Sequence, residues 1–251
     1  MLKLIQQEVY KLVQKRSTTI GLGLLAAVMA FFAAITKIYP NLLDAQGQFE
    51  GLYSAGIFLV FMLIAATSNI TMMEFQSGMI RPLLYRKYSR TQVLISKWLV
   101  ILGYSIILYV VSFIWSLILK LVLFNGTFAL TSTLLTHLVQ NLVAQWLTTW
   151  LLLSVVFLMT NAFKSSAVAV SVGIIGYFVT NVMATLLALF IARWSWLRFN
   201  PLNMMTLPMQ LAGGLSEKMT QLSNTGLIIG NLVYIAIFLY LGLVLFKRRA
   251  V

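Results

Sequence analysis

The stretch Trp98–Phe124, WLVILGYSIILYVVSFIWSLILKLVLF, carries a single ionisable side chain apart from its tyrosines, Lys120, close to its end. A hydrocarbon layer of about 30 Å takes roughly 20 residues of helix to cross, and this run exceeds that. It is predicted to be a transmembrane helix. Working outward from it, five more runs have the same character: 17–38, 52–73, 134–160, 166–192 and 226–246. The remaining composition agrees with them. Of 251 residues, 61% are hydrophobic and 9% are charged, whereas soluble domains carry about a quarter charged residues. A water-soluble enzyme, a disordered tail and a nucleic-acid-binding module are therefore poor fits, and nucleic acid is not an expected partner. The chain contains no cysteine, which excludes disulfides and thiolate metal sites.

The fold expected is an all-α integral membrane protein of six spans, forming one domain over residues 1–251. No internal repeat or low-complexity linker divides it. The net charge of +13 resides in short clusters between the spans, so it reads as membrane orientation. With six spans, Lys3, Lys11, Lys15, Arg16, Arg81, Arg86, Lys87, Arg90, Lys97, Lys164, Lys247, Arg248 and Arg249 share one side. Only Lys37, Lys120, Arg193, Arg198 and Lys218 fall on the other. This bias places both termini in the cytoplasm. The location expected is a cell membrane, multi-pass, of the bacterial cytoplasmic kind. Lys120 lies near the outer end of its span, where its stem can snorkel.

Residues 1–16 form a separate element. Leu2, Ile5, Val9, Leu12 and Val13 recur at helical spacing opposite Lys3, Gln7, Lys11 and Gln14. Such a helix lies in the headgroup layer of the membrane lipid, or simply extends the first span. The segment 193–225 opens with Arg193, Trp194, Trp196 and Arg198, which are interfacial anchors, and continues through Pro201, Pro208, Gly213 and Gly214. It is predicted to be external. Its apolar middle, 202–211, is too short to span and fits either a surface helix or a re-entrant one.

Reactive residues are scarce. His137 is the sole histidine, and the acids are Glu8, Asp44, Glu50, Glu74 and Glu217. No two-histidine metal motif, nucleophile elbow or phosphate-binding loop occurs, so no metal, no catalytic residue and no cofactor of its own is expected. Nor is an ion-coupled carrier, which usually shows as ionisable groups deep in the bilayer. Polar residues do recur within the spans. His137, Asn141, Gln145 and Thr148 or Thr149 form a stripe along one helix; Asn69 with Thr67, Ser68 and Thr71 forms a second patch, and Asn181 with Thr185 a third. Asn69, His137, Asn141, Gln145 and Asn181 are candidates for a substrate path. The alternative role is hydrogen bonding between helices, worth about 0.6 kcal/mol per contact. Gly226 and Gly230 read as a close-packing pair.

The segment 74–97 is the most distinctive. Gly78 can release the chain from the second span, and Pro82 suits the first turn of a new helix. That helix would present Leu83, Leu84 and Tyr85 among Arg81, Arg86 and Lys87. Ser89 and Arg90 then begin another helix. Glu74 with Gly78 four later, the double leucine Leu83-Leu84, the pair Ser89-Arg90 and Lys97 before the third span resemble the permease subunits of type 2 ATP-binding-cassette (ABC) exporters. The order of elements is similar over the whole chain. Met79 and Tyr88 depart from the family pattern, which often has Thr and Pro there.

The resemblance implies a coupling helix seated in a separate cytosolic ABC ATPase that binds the ATP and Mg. Arg81, Leu83, Leu84, Tyr85, Arg86 and Arg90 would make the contact, with Glu74 steadying the junction. It implies a second permease subunit, identical or related, and export of an amphipathic or hydrophobic peptide, drug or lipid. Members of this length include bacteriocin-immunity and drug-efflux systems. The alternative function is a permease-like protein that senses or assembles with an ATPase and releases no cargo.

Overall fold

The computed structural model describes residues 2–76, 89–163 and 165–248. Helix α1 (Leu2–Val13) precedes α2 (Arg16–Ile38), the short α3 (Ala45–Glu50), α4 (Ala55–Gln76), α5 (Arg90–Leu123), α6 (Ser132–Ala162) and α7 (Ser166–Arg193). Three short helices follow, α8 (Pro201–Met204), α9 (Leu207–Leu211) and α10 (Glu217–Thr220), and then α11 (Asn224–Arg248). Six of the helices, α2, α4, α5, α6, α7 and α11, are long and apolar enough to cross a membrane.

Caps explain several boundaries. Ser89 and Gln92 form a reciprocal capping box at the start of α5, satisfying two helix-start N–H groups. The helix therefore begins at Arg90, a full two turns before the apolar run at Trp98. Thr131 caps α6, Asp44 caps α3 and Asn200 caps α8, which has Pro201 in its first turn. Before α4 the chain makes a left-handed turn: Leu52, Tyr53 and Ser54 have φ of 55°, 48° and 60°. Non-glycine residues pay about 1–2 kcal/mol each for that conformation. An aromatic cluster holds the turn in place. Tyr53 is fully buried, stacks on Phe124 at 6.0 Å and meets Phe49 edge-on at 6.3 Å. The φ reversal explains why the helix starts at Ala55 although the apolar run begins at Leu52.

Helix α6 is the centre of the bundle: 61% of its apolar window is buried, against 17% for α2 and for α11. It packs on α4, α7 and α11. Gly173 of α7 permits one close crossing, since a Cβ there would stand 2.8 Å from both Ile64 and Val156. Ser105 of α5 accepts the indole N–H groups of Trp146 and Trp150, each at 3.0 Å, and donates to the Leu102 carbonyl. Trp115 donates to the Ala26 carbonyl and fixes α2 to α5. Exposed Ile20, Leu24 and Phe31 on α2, Ile107 and Ile114 on α5, and Leu232 and Tyr240 on α11 form the apolar rim that a bilayer would cover.

At one end of the bundle α1 seats differently from its sequence periodicity. Leu2, Val9 and Val13 are exposed, while Leu4 and Glu8 are buried. Leu4 joins Val93 and Leu94 of α5 and Phe246 of α11 in one cluster, so both chain ends lie at the same end of the bundle. Glu8 accepts hydrogen bonds from Lys97 at 3.2 Å and Lys11 at 2.9 Å, and Lys97 also donates to the Ile70 carbonyl. Three helices, α1, α4 and α5, meet at that ammonium. At the opposite end, Lys120 is buried rather than extended to the surface, its ammonium 5.4 Å from the Phe128 ring centroid.

Candidate functional site

The segment between α7 and α11 folds back into the bundle. Asn231, two turns into α11, donates to the Met204 carbonyl at 2.7 Å. The Met205 sulfur meets the Thr180 hydroxyl at 3.4 Å, and Thr180 is about 20 Å back from the end of α7 at 1.5 Å per residue. Met204 and Leu207 are buried with Ala144 and Leu147 of α6. Of the two arrangements compatible with the sequence, the structure adopts the buried one. Several of its polar groups are satisfied internally. Asn203 donates to the Arg198 and Thr220 carbonyls, Thr220 donates to the Gln210 side chain, and Gln210 donates to Leu222 and Asn224. Gly230 makes room: a Cβ there would overlap the Met204 sulfur. The close approach that the Gly226/Gly230 pair suggests is thus made by Gly230 to this segment.

Beneath the folded-back segment lies a cavity of about 410 Å³. Its floor is Tyr109 of α5 and Thr148, Thr149 and Leu152 of α6; one wall is Gly56, Ile57 and Val60 of α4. The other wall is Tyr177, Thr180 and Asn181 of α7, and Met205, Pro208 and Met209 form the roof. Gly51, just before the left-handed turn, and Ser54, its last residue, also line the cavity. No charged side chain lines it among the described residues.

The floor hydrogen bonds form a relay. Thr149 donates to the Gln145 carbonyl at 2.7 Å, so its hydroxyl proton is committed and Tyr109 donates to Thr149 at 2.9 Å. Thr148 donates to the Ala144 carbonyl, Thr180 to Gly176 and Asn181 to Tyr177. The Gln145 amide donates to Asn141 at 3.4 Å, and Asn141 donates to the Glu50 carbonyl at 2.9 Å. Among the described residues the buried Gln145 Oε1 has no hydrogen-bond partner. It sits where a Cβ on residue 56 would lie 2.9 Å away, so glycine there leaves the carboxamide its place. A buried acceptor without a donor costs about 1–3 kcal/mol. The cavity thus presents hydroxyl and amide side chains between apolar walls.

The structure divides the predicted path residues. Gln145 and Asn181 face this cavity together with Thr148 and Thr149. Asn141 lines neither cavity and holds the end of α3. His137 is exposed and is not part of this cavity's lining. Asn69 lies at a second cavity, near α1, while Thr67, Ser68 and Thr71 beside it are buried in helix packing, Ser68 donating to the Ser166 carbonyl. Arg90 donates to the Lys247 carbonyl at 2.8 Å, joining the start of α5 to the end of α11. Glu74 falls in the last turns of α4; its side chain, and Gly78, Arg81, Leu83, Leu84, Tyr85 and Arg86, lie outside the described residues.

Sequence reading misses Tyr109, Tyr177, Thr180 and the methionine roof. Tyrosines and methionines in an apolar span carry no periodic signal of their own. It also misses Glu8 as a packing residue. The signal is present, since Leu4, Glu8 and Leu12 share one face at four-residue spacing.

The family model described as "Protein of unknown function (DUF2705)" matches residues 4–251. No curated protein matches the chain.

Proposed function

We propose that this chain, which belongs to the DUF2705 family, is the membrane-spanning subunit of an ABC-type exporter, powered by ATP hydrolysed on a separate cytosolic subunit. The observation that carries the reading is the cavity under the folded-back segment. It is mainly apolar with hydroxyl and amide groups, bears no charged side chain among the described residues, and is of a size that holds one drug-sized ligand or part of a larger one, within a bundle whose sequence holds no catalytic motif. Its lining suits an amphipathic cargo that buries a neutral hydrogen-bonding group and keeps apolar surface against Ile57, Val60 and Leu152. In this reading the end bearing α1 is cytoplasmic, following the basic-residue bias, and the cavity belongs to the outer half of the membrane. Residues 74–97 form the coupling element, and a second permease copy or relative completes the transporter.

The test is co-purification from native membranes followed by reconstitution in vesicles. An ATPase carrying a phosphate-binding loop should accompany the chain. Candidate peptides and drugs should raise its turnover and leave the vesicles, and Leu84→Asp should remove the stimulation while the protein remains inserted. Stimulated turnover without cargo release would favour the sensing role. Absence of any ATPase partner would overturn both.

A further inference from the structure

A second cavity, of about 190 Å³, lies between α1, α2, α4 and α5 at the opposite end of the bundle from the first. Its wall on α4 runs from Met62 to Met73, about 16 Å at 1.5 Å per residue. The deep part is apolar, with Met62, Ala65 and Ala66 facing Tyr104. The mouth is basic and polar: Lys11, Lys15, Ser17, Thr18 and Asn69. The shape is therefore long and narrow, greasy at one end and cationic at the other.

Two further observations fix the sign of the ligand. The Glu8 carboxylate is shared between two ammonium groups, Lys11 and Lys97, and Lys15 adds another cation at the mouth, so cations outnumber carboxylates there among the described residues. Lys15 is also the N-cap position of α2 and gives that helix no side-chain cap. The start of α2 thus presents backbone N–H groups and the positive end of its dipole toward the same mouth, an arrangement that favours anions.

We propose that this cavity binds one anionic phospholipid from the leaflet at the α1 end of the bundle. The phosphate sits among Lys11, Lys15 and the first turn of α2, and an acyl chain lies along α4 toward Ala65 and Met62. The site is separate from the cargo cavity, and the inference holds whatever the exporter carries. Bound there, the lipid bridges α1 and α2 to α4, and so sets how firmly α1 is held against the spans.

The full chain, purified in detergent and exchanged into nanodiscs of equal phosphatidylglycerol and phosphatidylcholine, should retain phosphatidylglycerol preferentially, read by native mass spectrometry after release. Lys15→Gln leaves the Glu8–Lys97 pair intact and should lower that preference about fivefold, the scale expected for one lysine near an anionic headgroup. Ala65→Leu should displace the acyl chain and lower retention of both lipids, while the thermal midpoint shows the protein folded. Excess inorganic phosphate should not compete, because it lacks the chain. Equal retention of the two lipids, a preference unchanged in Lys15→Gln, or full displacement by inorganic phosphate would overturn the proposal.

Discussion

Glu8 and Lys97, 89 positions apart, form an ion pair of 3.2 Å in which both side chains are 1% exposed. One partner belongs to an amphipathic N-terminal helix and the other to the third turn of a helix long and apolar enough to cross a membrane. Burying two charges is costly, and breaking such a pair by removing one partner typically costs about 3–5 kcal/mol because the other is left uncompensated. Lys97→Met and Glu8→Gln should each lower the thermal midpoint in detergent markedly. The double variant Glu8→Gln/Lys97→Met should recover much of the loss. A double-mutant cycle that is simply additive would show that the pair contributes no coupling.

Ser105 serves two indoles at once, the buried Trp150 and the half-buried Trp146. Ser105→Ala would leave the N–H groups of Trp146 and Trp150 without their acceptor. At about 1–3 kcal/mol per orphaned donor, the variant should be clearly less stable than wild type, with altered tryptophan emission. Trp146→Phe in the Ser105→Ala background should cost less than in wild type, since its hydrogen bond is already gone.

The left-handed turn offers a prediction of opposite sign. Ser54 has φ of 60°, which glycine adopts without a Cβ clash. Ser54→Gly should stabilise the protein by about 1 kcal/mol, provided the aromatic cluster around Tyr53 is untouched. Ser54→Val, which tolerates that φ poorly, should destabilise it. The measurement is the thermal midpoint of the two variants beside wild type.

Gly173 marks a tight interhelical crossing between α4, α6 and α7, where a Cβ would meet methyl groups of Ile64 and Val156, both at 2.8 Å. Gly173→Ala should cost about 1–3 kcal/mol as overpacking. Trimming both neighbours, Ile64→Val with Val156→Ala, should reduce that penalty, which the same unfolding measurement checks.

In the cavity beneath the folded-back segment, Gln145→Leu replaces the carboxamide, whose Oε1 has no partner among the described residues, with an apolar group of similar size. It should lower ligand-stimulated ATP turnover in the reconstituted complex at least about fivefold for a neutral hydrogen-bonding cargo, while leaving stability unchanged or raised. His137→Ala, at an exposed position, should leave turnover as it was. Equal effects from the two substitutions would count against the cavity as the cargo site.

The helices are legible in the sequence because a bilayer imposes a length and an apolar composition that few other structures share. The exceptions have local causes. Helix α5 starts at Arg90, before its apolar run, because Ser89 and Gln92 cap it and because Val93 and Leu94 pack on Leu4. The helix after the first long loop starts late because Leu52–Ser54 reverses its φ, a feature with no glycine to announce it. The site is half legible. Gln145, Thr148, Thr149 and Asn181 stand out as polar residues among apolar ones, but the same spacing also selects Asn141, which holds a loop carbonyl. What a linear pattern does not carry is depth. That Met205 and Met209 roof the cavity depends on the chain turning back after Arg193, and the residues there are compatible with two paths.

The cluster of Leu4, Val93, Leu94 and Phe246 brings the first and last turns of the polypeptide into one hydrophobic knot, so the chain is nearly a closed ring. A short linker joining the present ends, with new ends opened in the turn at 125–130, would yield a circularly permuted protein of the same fold. The six long apolar helices are all kept under that rearrangement, and the fresh termini emerge at the opposite end of the bundle.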